Sequence, residues 1–294
     1  MTRSDALTSL ASAHRRASER QDAVKKSKIF SFAAAICLVG GAASLSYPAH
    51  ATGEPQTDVQ PAIFQAAGPT IASIQSMVDA FRLAVGAPNG NTPGPLAAGR
   101  REINWDGGGS ATSLVPTPFD GFLVNRGARF ITPGSGFVQA PPDGLVTTFG
   151  NATYADIFQA FSPLRLFSPI DSNLTKVQFF VPGGGELPAT TTAFGAIFSD
   201  VDRPSGHGQP STWLAFYDVR GKLLFTSAVP SSPGDASLSF LGVLFPDARV
   251  AFVKIVSGNV APGRNDLSHR DIVMMDDFIF GEPQLAEAKE SHED

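Results

Sequence analysis

Cysteine is almost missing from this chain. The one cysteine, Cys37, lies inside an apolar stretch near the N-terminus. If that stretch is removed during export, the rest of the chain has no thiol. Disulfides, zinc thiolate sites and cysteine nucleophiles are then excluded from the mature protein.

Charged residues are also scarce, at 17% of the chain, and their signs are unevenly distributed. Residues 1–28 hold seven cations and three anions, and residues 29–51 hold no charge. Residues 52–294 therefore hold 15 cations and 24 anions, a net charge of −9. An acidic body argues against nucleic acid as a partner, because phosphate contacts need clustered Lys and Arg.

Enzyme signatures are missing as well, and no catalytic residue can be assigned. The chain has no H-E-x-x-H, G-x-S-x-G or Walker A pattern. Beyond residue 51 its histidines are His207, His269 and His292, and His207 lies in a Gly-containing loop without an evident orienting partner. Catalytic triads and glycosidase carboxylate pairs form through space, so a secreted hydrolase acting on polysaccharide stays an alternative.

The N-terminus has the pattern of an export signal. Three lysines between residues 25 and 28 precede an uncharged run over 29–47, and Ala49-His50-Ala51 has the small–x–small spacing that signal peptidase accepts. The pattern predicts a signal over residues 1–51 and a secreted or periplasmic protein that starts at Thr52 and leaves the membrane. The alternative is an uncleaved anchor, although the run is short and diluted by small residues.

Helical periodicity is confined to one segment. Residues 52–68 predict a linker, and residues 69–99 predict a helix, over about 69–86, followed by a flexible polar connection. One apolar stripe marks the helix, formed by Ile71, Ile74, Val78, Phe81 and Val85.

From residue 100 the helical period gives way to alternation and turn signals. Gly and Pro, at 29 and 23 copies, separate short alternating runs, and residues 218–221 (DVRG) are typical of a hairpin. The pattern predicts a mainly β fold, an antiparallel, jelly-roll-like β-sandwich over 100–283, with an acidic disordered tail at 284–294. We expect its core to contain Trp105, Phe179, Phe198, Phe216 and Phe252.

Four stretches carry a resemblance to a known group. Residues 99–107 (GRREINWDG), 129–137 (RFITPGSGF), 194–202 (FGAIFSDVD) and 275–283 (MDDFIFGEP) resemble a group of uncharacterised secreted bacterial proteins. The likeness covers roughly residues 65–283 and implies a secreted β-sandwich. The closing stretch is also similar to the last strand of extracellular jelly-roll modules, in which an Asp can ligate calcium.

Four aspartates are the candidate metal ligands. Asp200 and Asp202 form a D-x-D pair that would share one face of a strand, and only one of the adjacent Asp276 and Asp277 can join them. Converging carboxylates repel one another unless a cation neutralises them, and calcium accepts about six to eight oxygen ligands. The alternative is that they are solvated strand ends or partners of an arginine such as Arg270.

Two aromatic residues are the candidate ligand-binding residues. In the run 212–217, Leu214 and Phe216 would face the core, which places Trp213 and Tyr217 on the opposite face. Exposed aromatic rings on a sheet can stack on the apolar faces of sugars. The alternative is that the N-terminal helix or a loop covers this face, since large aromatics are usually buried.

These observations favour an exported, non-enzymatic protein that binds an extracellular carbohydrate or surface polymer, with calcium as a candidate structural ion. The rivals are the hydrolase and an extracellular structural or matrix protein. A flat face bearing Trp213 and Tyr217 would favour the binder, whereas a groove with opposed carboxylates would favour the hydrolase. The sequence leaves the oligomeric state open.

Overall fold

A computed structural model describes residues 60–202, 211–265 and 269–286. The predicted export signal, His207, His292 and most of the predicted tail lie outside these ranges, so those predictions stay predictions. No helix in the described part of the chain is long and apolar enough to cross a membrane.

Strands dominate the described residues. The helices are α1 (Ile71–Val85), α2 (Leu123–Arg126), α3 (Pro142–Phe149) and α4 (Tyr154–Ile157), with a 3-10 turn at Asp106–Gly108. The strands are β1 (Ala62–Gly68), β2 (Arg100–Ile103), β3 (Ser113–Pro116), β4 (Phe119–Phe122), β5 (Ala128–Ile131), β6 (Gly136–Ala140), β7 (Leu166–Ile170), β8 (Leu174–Phe179), β9 (Ala189–Thr190), β10 (Ala193–Ser199), β11 (Trp213–Tyr217), β12 (Leu223–Ala228), β13 (Leu238–Leu244), β14 (Phe252–Val256), β15 (Met274–Gly281) and β16 (Gln284–Leu285).

The strands form two main sheets. The larger sheet has eight strands in the order β1-β13-β10-β15-β7-β6-β3, with β2 also paired to β15. The smaller sheet has six strands in the order β12-β11-β14-β8-β5-β4. All of their ladders are antiparallel.

Along the segment from β7 to β15, the first strand pairs with the last, and each following strand pairs with the one before the last partner. With the short β9 set aside, β7 pairs with β15, β8 with β14, β10 with β13 and β11 with β12. The first and third of these pairs lie in the larger sheet and the other two in the smaller sheet. A long hairpin folded over in this way is jelly-roll topology, so the predicted antiparallel, jelly-roll-like sandwich is confirmed.

Phenylalanine fills the space between the two sheets. Phe179, Phe198 and Phe216 are at most 1% exposed, as predicted, and Trp105 stacks on Phe167 with ring centroids 3.8 Å apart. Burying rings of this size contributes much of the favourable free energy of folding.

The prediction for Phe252 is wrong. In β14 the side chains of Val253 and Ile255 face inward and are fully buried, so the alternation of the strand turns Phe252 and Lys254 outward. Phe252 is half-buried on the outer face of the smaller sheet.

Helix α1 confirms the predicted amphipathic helix and packs on the larger sheet. Ile74, Val78 and Phe81 are fully buried against residues of β10, β13 and β15. The helix can lie this close to the sheet because two residues of the sheet beneath Phe81 are glycines. A Cβ atom at Gly195 or Gly242 would lie 2.8 or 2.7 Å from a ring atom of Phe81.

The sandwich extends beyond its predicted bounds at both ends of the chain. Ala62–Gly68, assigned to a linker from the sequence, form strand β1 and pair with β13 along their whole length. Gln284–Leu285, assigned to the disordered tail, pair with β9. In each case backbone pairing with a strand distant in sequence supplies the order, which local composition does not show.

The connection over residues 87–99, predicted to be flexible, is tied to the sandwich by a buried ion pair. Arg101 donates from Nε and Nη2 to the carboxylate of Glu282 at 2.6 and 2.7 Å, and both side chains are at most 1% exposed. Nη1 of Arg101 donates to the carbonyls of Gly90 and Thr92 within the connection.

Candidate functional site

The outer face of the smaller sheet carries both aromatic residues that the sequence proposed as ligand-binding. Trp213 and Tyr217 are half-buried there, while Leu214 and Phe216 between them are fully buried in the core. The predicted division of this strand between two faces is therefore confirmed. We term the outward-facing side chains of three neighbouring strands the aromatic–lysine face: Leu174, Lys176, Gln178, Trp213, Ala215, Tyr217, Phe252, Lys254 and Val256.

Strand register arranges this face in rows across β8, β14 and β11. One row is Gln178, Phe252 and Tyr217, the next is Lys176, Lys254 and Ala215, and the last is Leu174, Val256 and Trp213. Directly opposed side chains in antiparallel strands have their Cβ atoms about 5 Å apart. An aromatic row, a cationic row and the row containing Trp213 thus lie side by side.

The aromatic row is held rigid by ring stacking and by lysine. The rings of Tyr217 and Phe252 stack with centroids 4.7 Å apart and an interplanar angle of 8°. The Lys254 ammonium lies 5.1 Å from the centroid of Tyr217, and the Lys176 ammonium lies 4.3 Å from that of Phe252. Cation–π attraction therefore fixes both ammonium groups near the rings.

The two lysines are directly opposite each other in the ladder. Burial, and secondarily the charge of Lys254, lowers the pKa of Lys176. In the described ranges neither lysine forms an ion pair with a carboxylate. Like charges opposite each other destabilise a sheet, so this row is an uncompensated positive site on an acidic protein.

The indole of Trp213 is partly exposed. Among the described residues this indole forms no ring stack and no hydrogen bond, whereas the rings of Tyr217 and Phe252 stack on each other. Helix α1 packs on the larger sheet, so it does not cover this face as the alternative interpretation expected.

A second polar site, a buried carboxylate cluster, lies at the middle of β15. The Ser162 hydroxyl lies 2.7 Å from Asp277 Oδ1, 3.0 Å from Asp106 Oδ2 and 3.4 Å from Asp276 Oδ1. The backbone N–H of Phe161 donates to Asp276 Oδ2 at 2.5 Å.

Burial determines the ionisation of this cluster. The Asp276 side chain is fully buried, and burial first and the charge of Asp277 second raise its pKa well above the ordinary value. Burial also raises the pKa of Asp277, but Ser162 and Arg82, whose Nη2 lies 3.1 Å from Asp277 Oδ2, favour its ionised form. Of the two carboxyl groups, the environment thus favours the proton on Asp276, while Arg82 favours the charge on Asp277.

Asp200 and Asp202 lie at a different place. Asp202 Oδ1 accepts a hydrogen bond from Gly234 N, and Asp202 N donates to Asp271 Oδ1. Ser199, the last residue of β10, is opposite Met274, so Asp200 and Asp276 extend in opposite directions from this pair. Their backbones are separated by about 10 Å at the usual rise per residue of a strand.

The structure therefore does not bring the four predicted metal ligands together. Asp200 has a φ of 71° and leaves the strand, so Asp200 and Asp202 do not share a strand face as predicted. Within the described part of the chain, no group of three or more His, Cys, Asp or Glu side chains is placed to hold a metal ion. Calcium binding stays a prediction, tested in the Discussion.

An open depression of about 450 Å³ lies between the end of α1 and the larger sheet. Its lining is formed by Gln60, Ala62, Ala84, Val85, Thr192, Leu244, Phe245 and Pro246. No lining residue carries a carboxyl group, so this depression lacks the opposed carboxylates that the hydrolase interpretation requires.

Sequence reasoning identified two of the nine members of the aromatic–lysine face, and among those it missed are Lys176, Lys254 and Phe252. Strand phase could have identified them. Lys176 is out of phase with Val177 in β8, and the charge of Lys254 marks the outward-facing set of β14.

Comparison of the chain with protein-family models, curated proteins and solved structures finds no match. The functional argument therefore depends on the geometry of these sites.

Proposed function

We propose that this is an exported, non-enzymatic protein that binds carbohydrate through the aromatic–lysine face. The observation that supports this most is the partly exposed indole of Trp213, unstacked among the described residues, on the outer face of the smaller sheet. Sugar rings present apolar C–H surfaces that stack on such an indole, and Lys254 and Lys176, in the next row of the face, can hydrogen-bond to substituents of the polymer. Export is supported by the N-terminal sequence pattern alone.

The competing hydrolase proposal has less support. Asp276 is 0% exposed and is enclosed by protein groups, so a polysaccharide chain cannot reach it in this conformation. The neighbouring hydrogen bonds from Phe161 and Ser162 give this carboxyl group a structural role. The structural or matrix protein proposal does not account for the half-buried indole of Trp213, which is unstacked among the described residues.

Binding can be tested by tryptophan fluorescence during titration with a panel of polysaccharides. The chain has two tryptophans, and Trp105 is 1% exposed, so a change on adding ligand reports on Trp213. We expect Trp213→Ala to abolish binding and Trp213→Phe to retain part of it, because stacking needs an aromatic ring. These two variants lack the reporting indole, so their binding is measured by isothermal titration calorimetry.

The matched control is Leu114→Ala, which removes a side chain that is 63% exposed on β3 of the larger sheet. It should bind as the wild type does. If no polysaccharide in the panel binds, or if Trp213→Ala binds as tightly as the wild type, the proposed function is wrong.

A further inference from the structure

We infer that the ligand of the aromatic–lysine face is an anionic polysaccharide whose carboxylate or sulfate groups are bound by Lys176 and Lys254. The inference rests on the proposed function and specifies the chemical class of the carbohydrate.

The placement of lysine in this protein is selective. The described ranges contain three lysines, Lys176, Lys222 and Lys254, and two of them are directly opposed on this one face. Residues 52–294 carry a net charge of −9, so a cationic site here contrasts with the rest of the protein. An anion between the two ammonium groups would relieve their repulsion, which a neutral sugar cannot do.

The lysines have hydrogen-bond donors left for such an anion. An ammonium group has three N–H donors, and each of these lies over an aromatic ring without a carboxylate partner in the described part of the chain. The rings hold the ammonium groups in place and leave donors directed away from them. This is a preorganised arrangement, so little side-chain entropy is lost when an anion binds.

The register also places the lysines at a suitable distance from the stacking platform. Trp213 is opposite Val256, and Lys254 is the diagonal neighbour two residues away on β14. Diagonal neighbours on one face are about 7–8 Å apart at the backbone, and the two ammonium groups lie over Tyr217 and Phe252, on the side away from Trp213. A polymer stacked on Trp213 and continuing along β11 would therefore place the acidic substituent of a later sugar near Lys254, with Lys176 one strand beyond.

The test compares two polymers that differ in charge alone, polygalacturonate and its fully methyl-esterified form, with dextran sulfate and unmodified dextran as the sulfate pair. Affinities for the purified full chain and its variants are measured by isothermal titration calorimetry, at low and high salt. We expect the acidic member of at least one pair to bind at least tenfold more tightly than its neutral member. This preference should shrink at high salt, because exposed charges are screened.

The variant pair separates this inference from the proposed function. Lys176→Gln with Lys254→Gln should weaken binding of the acidic polymer by about tenfold for each lysine removed, since each removal loses a charge-assisted hydrogen bond. The matched control is Lys222→Gln, which removes the same charge from the exposed hairpin turn and should leave binding unchanged. Circular dichroism spectra identical to that of the wild type establish that the variants fold.

Each outcome has a distinct meaning. Equal binding of acidic and neutral polymers that Trp213→Ala abolishes would overturn the anionic ligand and leave the proposed function standing. Binding of the acidic polymer that the double lysine variant retains would overturn the assignment to these two residues. Single-stranded DNA binding as tightly as the acidic polymers would overturn the carbohydrate class, and no binding by any polymer would overturn both proposals.

Discussion

The buried carboxyl group of Asp276 makes the stability of this protein depend on pH in a defined direction. The folded protein holds the Asp276 proton to a pH well above 3.8, the ordinary pKa at which the unfolded chain releases it. Between these two pKa values the folded state binds more protons than the unfolded state, so the free energy of unfolding decreases as pH rises. This contribution is fully present below pH 3.8 and is lost through the raised pKa of the folded state.

The replacement Asp276→Asn removes the titrating group while preserving its shape. The Asn side-chain oxygen can accept the hydrogen bond from Phe161 N, and its NH₂ group can donate where the protonated carboxyl group does. Each unit by which the folded-state pKa exceeds the unfolded-state pKa costs the wild type about 1.4 kcal/mol at neutral pH. We therefore expect Asp276→Asn to be more stable than the wild type at pH 7 and equally stable near pH 4.

The assay is urea unfolding from pH 4 to pH 8, with the free energy of unfolding extrapolated to water. The matched control is the neighbouring Asp277→Asn, whose pKa is raised less far and which also removes the carboxylate that pairs with Arg82, so any gain in stability at pH 7 should be smaller. The difference in size separates the two adjacent residues. Parallel pH profiles for the wild type and Asp276→Asn would refute a protonated Asp276.

Three further predictions concern packing, a buried ion pair and calcium. Phe216→Ala should lower the free energy of unfolding by about 3–5 kcal/mol because it leaves a cavity in the core, whereas Phe252→Ala should lower it less because that ring is half-buried. Equal losses in urea unfolding would contradict the assignment of these rings to opposite faces of the smaller sheet. Glu282→Gln should lower the free energy of unfolding by about 3–5 kcal/mol, because it leaves the fully buried guanidinium of Arg101 without its counter-charge. A loss below about 1 kcal/mol would contradict a stabilising role for this ion pair. The calcium hypothesis expects a melting temperature that rises with calcium concentration and that Asp200→Asn abolishes, so identical melting curves in calcium and chelator would exclude the site.

Local sequence patterns were sufficient for helix α1 and for the antiparallel β architecture from residue 100 onward, but not for β1, β16 or the helices α2, α3 and α4. The apolar stripe of α1 needs only the helical period, and all of its predicted members are buried or partly buried. Alternation assigned Leu214 and Phe216 to the core face of β11, and therefore Trp213 and Tyr217 to its outer face. Turn residues between short runs favoured antiparallel neighbours, which the jelly roll contains.

Strand phase failed where both faces of a strand are apolar. In β14, Phe252 and Val256 alternate with Val253 and Ile255, so hydrophobicity is compatible with either orientation. The single charge of Lys254 distinguishes the two, because a lysine is rarely buried without a partner. Strand β1 was missed for a related reason, since its local sequence does not indicate that it pairs with β13.

What the sequence by itself determined is therefore local: a helix, a set of short strands, their turns and the acidity of the chain. Tertiary structure alone decided which residues meet. Lys176 and Lys254 are separated along the chain by five other strands, and the opposed pair exists because β8 and β14 are neighbours in one register. Asp106, Ser162 and Asp276 likewise converge from three distant segments. Such juxtapositions follow from the simultaneous packing of two sheets on one core, where a shift by one residue would turn every apolar side chain to the wrong face.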